Sequence, residues 1–223
     1  MKKRPIKYLV TLFLVAVLLV LGYQSLQNGK QRSKINYKDD LDEVAICVDG
    51  EELTLRDMAF YVAYQEGEVD KQARVYNPED PHKYWITHIN GQYIQQAAKE
   101  AMIQMAIHDE IFYKMALEEG VSLTQEEESS LENTMEDFWY DLLDREGNEA
   151  LGVTEEEIRD TMVKIALAQK YQQLYAEIQG CSSEDFAYGT DRYLRLMETH
   201  RVEIKEELWK RIQLGVITVN NGA

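Results

Sequence analysis

The sequence predicts a mostly α fold: a helical body with a small β-hairpin near its start and a strand at its end, preceded by one N-terminal transmembrane helix. Three observations carry this. Only three of the 223 residues are Pro and 12 are Gly, which argues against a collagen-like or turn-dense all-β chain. Glu, Gln, Leu, Ala, Met and Lys, the residues with the best helix propensities, are abundant. Apolar side chains also recur at helical spacing in several long runs, and the runs open on Thr54, Thr124 and Thr154, residues suited to capping a helix N-terminus.

The chain divides into a signal anchor over residues 1–23, a tether over 24–42 and a helical domain over 43–223. Lys2-Lys3-Arg4-Pro5-Ile6-Lys7 precedes the uncharged apolar run from Tyr8 to Gly22. Counted with Ile6 and Lys7, this run reaches about the ~17 residues that a spanning helix needs. It is either an uncleaved anchor or the apolar part of a signal peptide cut near Val20-Leu21-Gly22. Because its cations all precede the run, the positive-inside rule exports everything after Tyr23. The expected location is the cell membrane, single-pass, with the body outside the cytoplasm, or secretion after cleavage. Residues 24–42 lack periodicity and are largely polar and charged, as a tether is.

Val44-Ala45-Ile46-Cys47-Val48, Asp49-Gly50 and Glu51-Glu52-Leu53 read as a hairpin, since Asp-Gly accepts the positive φ angles of a type I′ turn. Thr54 then caps a short helix through about Glu66, with Leu55, Met58, Ala59 and Val62 facing inward. Residues 67–90 hold two of the three prolines and show no sustained period, so they read as a long connection with a helical turn around Trp85. Residues 91–119 form the longest helix, with two apolar stripes and burial from two sides. Leu131, Met135, Phe138 and Leu142 give the next helix its inner face. Thr154 and Glu157 form a capping box for the last long helix, which ends at Gln179-Gly180. A further helical stretch is expected from about Ser182 to Met197, and Val202-Glu203-Ile204 is either strand or helix. Gly215 to Val219 reads as a terminal strand that meets the opening hairpin.

The formal charge is −16, and residues 1–30 hold five cations and no acid, which leaves −21 on the rest. A nucleic-acid partner is therefore disfavoured, because phosphate binding needs a basic face. Cys47 and Cys181 either pair or stay free, and their spacing excludes a CxxC site. None of the four histidines lies in a metal-binding motif, and His108, among Met105, Ala101 and Phe112, reads as a satisfied core or cleft histidine. The runs Glu126-Glu127-Glu128 and Glu155-Glu156-Glu157 suit helix first turns better than cation sites. There is no G-x-S-x-G elbow and no phosphate loop, so no catalytic residue, metal or cofactor is assigned.

VAICVDGEELT, the long helix closing on Ala116-Leu117-Glu118-Glu119-Gly120-Val121, the capped restart at SLTQEE and the GVTEEEIR to LAQKYQQLY helix together resemble the SurA N-terminal domain family, the chaperone modules of exported peptidyl-prolyl isomerases. The likeness covers about Glu43 to Gln179. It implies a helical module that holds unfolded or exported polypeptides. The parvulin domain of such isomerases has no room here: only Cys181 to Ala223 follows, with His200 as its one histidine. The expected activity is thus non-catalytic, with peptidyl-prolyl isomerisation, or kinship to it, as one alternative and an envelope adaptor with one fixed partner as another.

Met and aromatic residues are the surplus that a promiscuous apolar surface would use. Met105, Met135 and Met162 are better placed in the core. Tyr64, Trp85, Trp139, Tyr140 and Met102 are the candidate peptide-binding residues.

Overall fold

The computed structural model describes residues 35–219, and the expected signal anchor and the first part of the tether lie outside them. Among the described residues no helix is long and apolar enough to cross a membrane.

The body is mostly helical, with a small sheet. Strand β1 (Val44–Val48) pairs antiparallel with β2 (Glu51–Thr54), setting Ile46 against Leu53 and Val48 against Glu51. The turn between them is the expected one: Asp49 and Gly50 both have positive φ, 51° and 86°. Residues 35–42, assigned to the tether by composition, belong instead to the folded body. Tyr37 and Leu41 are buried, and the Tyr37 hydroxyl donates to the Leu55 carbonyl at 2.5 Å. The domain therefore starts before Glu43. Two apolar side chains in a polar stretch were enough to dock it.

Helix α1 (Ala59–Tyr76) begins later and runs ten residues further than its expected end. Thr54 does not cap the helix: its N–H donates to Asp57 Oδ2 at 2.7 Å within the turns formed by residues 55–58, and Met58 stands at the helix N-cap with no side-chain cap. The extension escapes a hydrophobic reading because its buried stripe runs Glu66, Val69, Asp70 and Ala73, half of it acidic. A short helix α2 (His82–Trp85) follows, as expected around Trp85. Then comes a second hairpin, β3 (His88–Ile89) and β4 (Gln92–Tyr93), turning on Asn90-Gly91 at φ 52° and 93°.

Helix α3 (Ile94–Glu118) is packed from two sides, by α1 and by α6 (Glu155–Ile178). Between them in sequence lie α4 (Gln125–Leu143) and the short α5 (Gly147–Leu151). Both capping boxes form: Thr124 and Glu127 at α4, Thr154 and Glu157 at α6. The stretch after Gly180 is not one helix but a 3-10 turn (Ser183–Phe186) and α7 (Asp191–Met197), the latter capped by Thr190.

The terminal strand is a correction. Strand β5 (Val202–Ile204) is the one that joins the hairpin, pairing Ile204 with Ile46 and Val202 with Val48, so the sheet order is β2-β1-β5. After α8 (Glu206–Trp209), residues 213–219 cross α1 as a strap. Their backbone donors are taken by one carboxylate. Glu66 Oε1 accepts the N–H groups of Gly215, Val216 and Ile217, and Oε2 accepts the N–H and hydroxyl of Thr218. A strand partner is thus unnecessary for these groups.

Candidate functional site: an acidic groove between α4 and α6

Helix α4 is the most loosely held of the three long helices after α1. Only Met135 and Leu142 are fully buried, both in its second half, while Leu131, Phe138 and Trp139 are half-buried. The amphipathic pattern is the reason: Glu126 to Glu128, Glu132, Glu136 and Asp137 take exposed positions over its first two-thirds. The helix lies on α6, and a groove of about 620 Å³ runs between them.

Its floor is apolar. Leu123, Leu131 and Met135 come from the α4 side and Val163 from α6, with Val163 over a third exposed. Its rim is acidic, carrying Glu128 and Glu132 on one wall and Glu155, Glu156 and Asp160 on the other. Arg159 is the only cation in the lining, and it is held across the groove by Glu132 and, at 3.4 Å, by Glu155 on its own helix. Glu127 sits outside, where Lys170 Nζ lies 2.6 Å from its carboxylate.

That ion pair gives a pH signature. The Lys170 ammonium first, and the Thr124 N–H second, hold the Glu127 carboxyl at about 2, well below its ordinary value. A lowered carboxyl contributes stability that is present above the ordinary carboxylate range and lost as pH falls through the lowered value. The first turn of α4 is therefore expected to stay capped down to about pH 2, whereas Glu127→Ala removes the acceptor of the Thr124 N–H at neutral pH. Backbone chemical shifts of residues 124–128, followed from pH 7 to pH 2, check both halves of this expectation.

Beyond Asp160 and Val163, which line both, the groove adjoins a second cleft of about 470 Å³ over the start of α1. Four of its charged residues are already matched. Lys164 Nζ lies 2.8 Å from the buried Glu110 and over the Tyr113 ring, and Arg56 bridges Glu157 and Asp42. Behind it, burial pushes the Asp109 carboxyl up while His108 and Tyr61 oppose the shift. His108 is a satisfied histidine, as its neighbours in sequence predict, with ring nitrogens 3.1 Å from Asp109 and from the Phe186 carbonyl. The Phe186 carbonyl only accepts, so Nε2 is the donor in that contact.

No family model, curated protein or solved structure matches the chain.

The five residues singled out from the sequence do not come together. Trp85 and Met102 are buried at 1% and 0% exposure and belong to the core. Tyr64 stacks on Phe60, which also packs on Phe138, so it marks the seam between α1 and α4. Trp139 is half-buried against the core and Tyr140 is exposed. None of the five lines the groove. What does line it is Leu131 and Met135, legible as a helix face, and Val163, legible as part of an apolar stripe of the last long helix, together with Leu123, which carried no distinguishing pattern. Cys47 and Cys181 are both free thiols. Among the described residues no three of His, Cys, Asp and Glu are arranged to hold a metal ion.

Proposed function

We propose that the chain is a membrane-tethered, extracytoplasmic protein that holds unfolded polypeptide segments without catalysis, and that the groove between α4 and α6 is where it holds them. The observation that carries this reading is an open trough with an apolar floor of Leu123, Leu131, Met135 and Val163, walled on one side by a helix that buries little of itself. Met at the floor adapts to apolar side chains of different shapes, as a surface with many clients requires. The basic-then-apolar N-terminus and the motif order that resembles SurA N-terminal domains support the location and the class.

Suppression of aggregation tests it. The full chain is expected to slow light scattering by several unrelated unfolded proteins at near-stoichiometric ratios. Val163→Asp, at a partly exposed position where a charge disturbs little of the core, is expected to weaken that protection about tenfold, the size of one lost apolar contact. An adaptor with one fixed partner protects none of the panel, and an isomerase accelerates the cis-trans exchange of a proline peptide.

A further inference from the structure

From the charges around the groove we infer that its occupant is a cationic-apolar stretch, in which Lys or Arg side chains flank one or two large apolar residues. This deepens the client-holding reading and rests on it. The inference comes from which acids line the groove without a cation of their own. On α4 and α6, Glu127 is paired with Lys170, Glu157 with Arg56, and Glu132 and Glu155 with Arg159. Glu128, Glu156 and Asp160 meet no cation among the described residues, and all three line the groove. In the neighbouring cleft, which shares Asp160, the buried Glu110 is already matched by Lys164 and Glu157 by Arg56.

Three unmatched carboxylates around an apolar floor favour a ligand with both characters at once. Apolar side chains reach Leu131, Met135 and Val163 by leaving water, and cationic heads at the rim gain carboxylate partners while their aliphatic stems cover more of the floor. An acidic segment of equal apolarity meets like charge on both walls, and a neutral one gains the floor alone.

The test uses the full chain in discs of zwitterionic lipid and fluorescent peptides sharing one apolar core, flanked by Lys and Arg, by Ser and Gln, or by Asp and Glu. The cationic peptide is expected to bind at least about tenfold more tightly than the acidic one at low salt, with the ratio shrinking toward unity near 1 M salt as screening shortens to about 3 Å. The triple variant Glu128→Gln, Glu156→Gln, Asp160→Asn is expected to bring the ratio within about twofold. Neutralising three exposed acids elsewhere (Glu79, Glu177 and Glu198) removes the same charge and is expected to leave the ratio standing. Equal binding of all three peptides, still lost in Val163→Asp, overturns the cationic preference and spares the groove. A preference that falls equally in both triple variants overturns it too, since net charge then explains it. Binding that Val163→Asp does not weaken, or no binding at all, overturns the groove reading and this inference with it.

Discussion

Replacing Glu66 by Ala is expected to destabilise the domain by about 3–5 kcal/mol, because it strips the shared acceptor from two or more buried donors at about 1–3 kcal/mol each. Glu66 is fully buried, and none of its partners is a cation. It is held by backbone N–H groups at 2.5 Å from Gly215 and Thr218, by weaker ones from Val216 and Ile217, and by the Thr218 hydroxyl at 2.8 Å. Burial pushes its carboxyl up, and these donors pull against that shift. Alanine removes the carboxylate to which the strap's N–H groups and the Thr218 hydroxyl donate, and each donor that stays dry costs about 1–3 kcal/mol. The strap would then lift to find water, so the loss is capped by the cost of undocking residues 213–219. Gln is expected to recover little. Whichever oxygen it converts to NH₂ faces at least two donors, because Oε1 accepts three and Oε2 two. Urea unfolding gives the total, and amide exchange at residues 215–218 shows whether the strap leaves first.

The same contact explains where the sequence was readable and where it was not. Periodic apolar faces and caps are local signals, and they placed α3, α4 and α6 within a few residues, with both capping boxes formed as Thr124, Glu127, Thr154 and Glu157 implied. The Asp49-Gly50 turn was legible for the same reason. Asn90-Gly91 carried an equally local signal for a second hairpin, but its two-residue strands are too short to show an alternation. Non-local pairings left no such trace. Gly215 to Val219 has the composition of a strand, yet its donors go to a carboxylate about 150 residues away in sequence, and a buried Glu in a helix reads as a solvated one. Because Glu66 and Asp70 look polar, α1 appeared to stop ten residues early. The candidate site was legible only in part. Leu131 and Met135 were recognisable as an apolar face, but whether a face is covered depends on how closely the neighbouring helix approaches. That is set by the packing of Met135 and Leu142, not by the pattern that includes them. Aromatic content, the signal used to choose Trp85 and Trp139, mostly reports core volume here.

Gly215→Ala is expected to cost about 2–4 kcal/mol, through two separable causes. The residue has φ +89°, a conformation that L side chains rarely adopt, worth about 1 kcal/mol for alanine. Its missing side chain also makes room for Trp85: a Cβ there would meet the indole Cδ2 and lie 2.8 Å from both Cγ and Cε3. Trp85 is buried within the main core, so the ring has nowhere to retreat without displacing its neighbours, and overpacking of this kind costs about 1–3 kcal/mol. A smaller side chain at position 85 tells the two apart. In a Trp85→Leu background the alanine no longer meets an indole, so its added cost is expected to fall to the backbone part, about 1 kcal/mol. An unchanged cost in that background assigns the whole effect to the positive φ. Gly215 also donates to Glu66 at 2.5 Å, so the alanine is expected to be non-additive with Glu66→Ala. Once the carboxylate is gone, the strap is already loose and a clash with Trp85 has less to break. The combined loss then falls short of the sum of the two, and a double-mutant cycle by urea unfolding measures by how much the strap acts as a unit.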